Sequence, residues 1–211
     1  MEQANLHQLS SEEQRVLGAL MEKARTTPEY YPLTLSGLLS ACNQKTSRRP
    51  VVAYDDGILV HTLDRLRKIG LISTATGGGS RVTKYKHNMG IVYPLVPAQL
   101  AVLCLLLLRG PLTPGEINTH SGRLFEFESL DEVQEVLDQL TQHEPPFIQQ
   151  IAKRPGQKEA RFIHLMGEVD LTDDPIQQTS STSALEQRVA QLETELASLR
   201  AEFDQLMQQL S

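Results

Sequence analysis

The chain has 211 residues, 40% of them hydrophobic, with no secretory or transit signal at its start, so a soluble cytoplasmic protein with room for two domains is expected. Its formal charge of −6 argues at first against a nucleic-acid partner, and only an uneven distribution of charge could restore one.

In chain order, Ser10-Ser11-Glu12-Glu13 offers a capping box that opens a first helix, with Val16, Leu17, Leu20 and Met21 as its buried stripe. Thr34 caps a short second helix carrying Leu35, Leu38 and Leu39. After a polar stretch, Asp55 or Asp56 caps a third helix, with Ile58, Leu59, Leu63, Leu66 and Ile69 inward and Gly70 at its end. Leu71 to Ala75 and Val82 to His87 then read as two strands joined across Gly77-Gly78-Gly79, where positive φ is cheap. Three helices and a two-stranded ribbon make a winged helix-turn-helix.

The same order returns further along. Val16-Leu17 matches Val102-Leu103, Pro32-Leu33-Thr34 matches Pro111-Leu112-Thr113, and Leu63-Asp64-Arg65-Leu66 matches Leu137-Asp138-Gln139-Leu140. Each block closes in nearly one phrase, Tyr85-Lys86-His87-Asn88-Met89-Gly90 and Phe162-Ile163-His164-Leu165-Met166-Gly167. A period of roughly eighty residues suits tandem domains rather than a solenoid. In the second block Ala98 to Leu108 is apolar almost all round, which implies burial between the domains or against a partner, and it is too short to span a membrane. Ser129 caps that block's third helix, with Leu130, Val133, Val136, Leu137 and Leu140 inward. Its ribbon runs from Phe147 to Ala152 and Ala160 to Leu165, turning at Pro155-Gly156. The expected fold is therefore mainly α with small β-ribbons, an α+β chain of two winged helices over 8–90 and 96–167, a linker over 168–183 and a helix over 184–211.

That last helix carries Leu185, Val189, Leu192, Leu196, Leu199, Phe203, Leu206 and Leu210 in alternating steps of four and three, a coiled-coil seam. A parallel homodimer sets Arg188 against Glu193 and Glu195 against Arg200 of a second copy; folding back onto the winged helices is the alternative. The linker is rich in Asp, Gln, Ser and Thr, as flexible connections are.

Charge is unevenly spread. Residues 43–88 hold nine basic against three acidic side chains, whereas residues 97–166 hold six against nine and residues 167–211 two against nine. The basic half contains the parts that a helix-turn-helix lays on DNA. Lys45, Thr46, Ser47, Arg48 and Arg49 stand in the connection before the third helix, His61, Arg65 and Lys68 on that helix beside Asp64, and Arg81, Lys84 and Lys86 on the wing. These residues are the candidate contacts to double-stranded DNA, and a merely solvated basic face is the alternative. The connection Ala41 to Val51 is unusually long for this fold and is expected to contact phosphate or an acidic partner, unless it serves only to cap. Asp131, Glu132, Glu135 and Asp138 give the second block a face that phosphates repel, so a protein partner is expected there.

Pro28-Glu29-Tyr30-Tyr31-Pro32-Leu33-Thr34-Leu35, Ala41-Cys42-Asn43-Gln44-Lys45-Thr46-Ser47-Arg48, Arg109-Gly110-Pro111-Leu112-Thr113-Pro114-Gly115-Glu116 and Arg154-Pro155-Gly156-Gln157-Lys158-Glu159-Ala160-Arg161 resemble the signature runs of the YceH-like family of bacterial proteins. The resemblance covers about residues 8 to 170. It implies a pair of winged helices, with no established activity and no catalytic or ligand residue to carry over.

Other constellations carry less. Gly77-Gly78-Gly79-Ser80-Arg81 lacks the Gly-Lys-Ser/Thr ending of a phosphate loop and reads as a hairpin tip. His87 and His164 recur at equivalent strand positions, as a shared packing role or a site in each domain would require. Cys42 and Cys104 read as buried thiols, and with His61 and His120 they show no metal-ligand spacing. Neither a metal nor a cofactor is expected, and no catalytic motif is recognisable. Two functions follow: a non-enzymatic, dimeric DNA-binding regulator, or a scaffold whose winged helices dock proteins.

Overall fold

Ser10 starts the first helix as its spacing predicts. Its Oγ accepts the Glu13 N–H at 3.3 Å while Glu13 Oε2 accepts the Ser10 N–H at 2.7 Å, so two of the backbone donors left over at a helix start are satisfied reciprocally. In the computed structural model, which describes residues 6–75, 82–153, 159–169, 171 and 191, this helix, α1, spans Ser11–Thr26. A short 3-10 turn at Pro28–Tyr30 leads to β1 (Leu33–Thr34) and α2 (Leu35–Cys42), which Thr34 caps by accepting the Gly37 N–H at 3.2 Å. Next come α3 (Asp56–Lys68), β2 (Ile72–Ala75), β3 (Lys84–His87) and a single turn, α4 (Met89–Val92). The second half comprises α5 (Pro97–Arg109), α6 (Pro114–Ser121), α7 (Leu130–Gln142), β4 (Ile148–Ile151) and β5 (Arg161–His164).

This is an α+β fold with two small antiparallel sheets, compatible with a tandem winged helix. The first sheet has three strands in the order β1-β3-β2, one more than the expected ribbon. Leu33–Thr34 was legible only as the lead-in to α2, because two residues are too few to show alternation. The repeat extends to register. Leu33 pairs with Tyr85 and Ile72 with His87 in the first half; Leu112 bridges Phe162 and Ile148 pairs with His164 in the second.

Two inward assignments need correction. Ile58 is 40% exposed, because adjacent helical positions differ by 100° and Leu59 takes the core; one turn on, Thr62 faces inward and donates its hydroxyl to the Ile58 carbonyl at 2.8 Å. Leu130 is half exposed, since it opens α7 a full turn before Val133 reaches the core. Val133, Val136, Leu137 and Leu140 are buried as expected.

The apolar helix of the second half finds its explanation here. α5 packs against α1 on one side and against α6, α7 and β5 on the other, so Ala101 through Leu108 are all buried and the two repeats share one core. Gly18 permits the approach: a Cβ there would stand 2.9 Å from the Leu108 side chain, and the Gly18 carbonyl accepts the Cys104 thiol at 3.4 Å. The start of α1 and the close of the second repeat are stitched together as well. The Leu9 N–H donates to the Met166 carbonyl at 2.8 Å, and Gln14 Nε2 donates to the Leu9 and Glu168 carbonyls at 3.0 Å each. Both repeats lie in one compact unit within Met1–Asp173. The seam from Leu185 to Leu210, Arg81, the Gly77-Gly78-Gly79 tip and the Pro155-Gly156 turn lie outside the described residues. No helix among the described residues is long and apolar enough to cross a membrane.

Candidate nucleic-acid interface

The long polar connection between α2 and α3 is pinned at several points. Asn43 closes its base with two hydrogen bonds to Tyr54, Nδ2 donating to the carbonyl at 2.9 Å and Oδ1 accepting the N–H at 2.8 Å. From α1, Arg15 donates to the Cys42 carbonyl at 3.2 Å and to the Pro50 carbonyl at 2.5 Å. The Arg49 N–H donates to the Leu108 carbonyl at 2.8 Å, which ties the connection to the second repeat.

Arg48 is the main correction to the expected contact set. Its side chain is fully buried and forks onto Glu22, with Nη1 to Oε1 at 3.0 Å and Nη2 to Oε2 at 2.6 Å. Further bonds reach the Ala41 and Ser47 carbonyls and Gln44 Oε1. Burial alone would raise the Glu22 carboxyl, but the hydrogen bonds and charge of Arg48 outweigh it and hold Glu22 below the usual carboxylate range. A guanidinium so satisfied is a structural strut, with nothing left for a phosphate.

Two more arginines meet carboxylates while staying about half exposed. Arg65 Nε lies 3.0 Å from the buried Glu13 carboxylate, and Arg67 pairs with Asp64 at 3.0 Å on the exposed face of α3. Lys45, Thr46, Ser47, Arg49, His61, Lys68 and Lys86 are exposed, and Lys84 is half-buried on β3. Among the described residues, Lys45, Arg49, Lys68, Lys84 and Lys86 make no ion pair. The start of α3 has a different character. Asp55 caps it by accepting the Ile58 N–H at 2.8 Å, Asp56 follows, and Ile58, Val60 and the nearby Val51 are exposed at 40, 44 and 57%.

The second repeat uses an equivalent strut on different elements. Arg161 of β5 is buried and forks onto Glu116 of α6 at 2.8 and 3.2 Å, also donating to the Pro111 carbonyl at 2.9 Å. On α7, Asp131, Glu135 and Asp138 are exposed and Glu132 is half-buried. His87 and His164 occupy matching sheet positions, and burial pushes each down to about 4. Cys42 and Cys104 are buried free thiols, and burial raises both. Among the described residues no group of three or more His, Cys, Asp or Glu could hold a metal.

Arg109 was missed by the sequence reading. It ends α5, and its Nη2 donates to Ser47 Oγ at 2.8 Å across the two repeats. The only available signal was a cation closing an almost wholly apolar helix, within one of the motif runs.

Residues 9–157 match the family described as "Protein of unknown function, DUF480". The chain belongs to that family. The DUF480 match takes in the first repeat and most of the second, stopping short of β5, and similar proteins align over nearly the whole chain. A UPF0502 protein of Shewanella piezotolerans is 48% identical over 210 residues, covering 94% of this chain and 97% of that one. UPF0502 protein YceH of Escherichia fergusonii is 41% identical over 212 residues, covering 97% and 98%, in keeping with the YceH-like resemblance of the motif runs.

Proposed function

We propose that this is a non-enzymatic, cytoplasmic, dimeric DNA-binding protein that engages the phosphate backbone through its first repeat. The observation that carries the reading is the set of cations without an ion pair among the described residues, Lys45, Arg49, Lys68, Lys84 and Lys86, left after Arg48, Arg65 and Arg67 are matched to carboxylates. The N-terminal turns of a recognition helix are those that meet base edges, and here they carry Asp55, Asp56, Ile58 and Val60. Binding is therefore governed by backbone charge and discriminates little among sequences. Pairing of chains through the Leu185 to Leu210 seam, read from sequence pattern, would double the charged surface on one duplex.

Titration of a labelled duplex at about 50 and about 200 mM salt tests this. Five phosphate contacts give a log–log slope near −4.5, a loss of about 500-fold between the two conditions, and a dimer with both heads engaged gives a steeper one. Arg49→Gln, Lys68→Gln and Lys86→Gln should each flatten the slope by about one. Absence of binding at the lower salt, or a flat salt response, overturns the proposal. Leu192→Asp with Leu199→Asp should halve the sedimenting mass, and an unchanged mass would remove the seam as the dimer contact.

A protein-docking scaffold is the second reading, and the exposed apolar side chains Val51, Ile58 and Val60 favour it. A pull-down from lysate with the intact chain, repeated with Ile58→Ser and Val60→Ser, separates the two. A stoichiometric partner lost on those substitutions, with duplex binding absent, favours docking; failure to retain any such partner counts against it.

A further inference from the structure

A recess of about 610 Å³ opens between the two repeats. Lys45 and Ser47 line it from the α2–α3 connection, and Arg109, His120 and Arg123 from the second repeat, with Leu108 contributing apolar surface. The Glu22 carboxylate also lines it but is already neutralised by Arg48. The recess therefore presents an excess of positive charge on walls contributed by both repeats.

Two local features of its lining bear on what the recess can hold. Ser47 holds a φ of 61°, the left-handed region that residues other than glycine seldom adopt, and from there its Oγ accepts from Arg109. Arg109 is half-buried, uses one of its five N–H donors in that bond and has no carboxylate within ion-pair distance among the described residues. Burial pushes its guanidinium below the usual range; Glu22 opposes this and the nearby Arg49 and Arg48 add to it. His120 is pushed down by burial and then by Arg109 and Arg49, against the pull of Glu116, so the same positive field reaches across the opening.

We propose that this recess binds a small phosphorylated metabolite carrying at least two negative charges, held between Lys45 and Ser47 of the first repeat and Arg109 and Arg123 of the second. The volume lies in the range of small-molecule sites, and planar guanidinium donors suit phosphate oxygens. A concave recess walled on both sides fits a compact anion better than a convex duplex. Because the ligand would touch both repeats, its binding would brace the junction that the Arg49 to Leu108 bond already makes.

Calorimetric titration of the intact chain with inorganic pyrophosphate, in about 150 mM potassium chloride to screen diffuse attraction, tests the site. One saturable site per chain is expected. Arg109→Gln and Lys45→Gln should each weaken it about tenfold or more, the loss of one charge-assisted hydrogen bond. Lys68→Gln and Lys86→Gln, outside the recess, should leave it within about twofold, a change worth well under one such bond. If Arg109→Gln proves unfolded, the exposed Lys45→Gln and Arg123→Gln decide the matter. No saturable heat, or unchanged affinity in the Lys45 and Arg123 variants, or equal losses with the Lys68 and Lys86 variants, overturns the assignment. Since the duplex reading rests on Lys68 and Lys86 as well, either proposal can fail without the other.

Discussion

Replacing Arg48 by Ala tests whether this arginine serves the fold rather than a partner. The side chain makes six hydrogen bonds to Glu22, Ala41, Ser47 and Gln44, all within 3.2 Å, and has no exposed surface. Removing one partner of a buried pair costs about 3–5 kcal/mol, because Glu22 keeps its charge with only Lys23, 3.5 Å away, to balance it. For a chain of this size each kcal/mol lowers Tm by roughly 2–4 °C, so a fall of about 6–20 °C is expected in thermal denaturation at pH 7. The neighbouring Arg49→Ala, exposed and unpaired, should move stability by no more than about 0.5 kcal/mol. The acid limb supplies a second readout. The folded Glu22 carboxyl sits below its unfolded value of 4.5, so its stabilisation is complete above that pH and is lost as pH falls through the folded value. The gap between wild type and Arg48→Ala should therefore narrow below about pH 4.5. A Tm within about 2 °C of wild type at pH 7 would mean the fork contributes under about 1 kcal/mol, and the argument would fail.

The two glycines that close the repeats should answer oppositely to alanine. Gly167 has a φ of 146° and its missing Cβ would overlap the Leu9 carbonyl, so Gly167→Ala should destabilise by at least about 1–3 kcal/mol. Gly90 is helical, with its nearest neighbour Leu100 Cδ1 at 3.9 Å, so Gly90→Ala should be neutral or stabilise by up to about 1 kcal/mol in urea unfolding; equal losses at both would show that the phrase, not the backbone, sets the requirement. For His87 and His164, folded values of about 4 lie below the ordinary 6.5, so each contributes stability that is full above pH 6.5 and lost on acidification toward pH 4, roughly 3 kcal/mol apiece at most. Substituting both by Gln should flatten the dependence of Tm on pH across that window, and a wild-type profile already flat there would contradict the burial argument.

Local signals made most elements legible. Ser10 with Glu13, Thr34, Asp55 and Ser129 sit where their side chains can reach the first free N–H groups, and that chemistry acts within a few residues. The apolar stripes of α1 and α7 were readable for the same reason, whereas β1 was too short to show alternation. The candidate contact set was readable only as charge. Lys45, Arg49, Lys68 and Lys86 remain exposed, but Arg48 and Arg65 meet acids that lie twenty-six and fifty-two positions away, Glu22 and Glu13.

By itself the sequence determined the repeat, the helix starts and the segregation of charge, because capping and periodicity are properties of neighbouring residues. Only the tertiary structure decided which cations are free, that α5 is covered by α1 on one side and by its own repeat on the other, and that Arg109 meets Ser47. The reason is physical. Whether a charge is neutralised, or an apolar face covered, depends on what another segment brings to within a few ångströms, and chain order does not encode that distance.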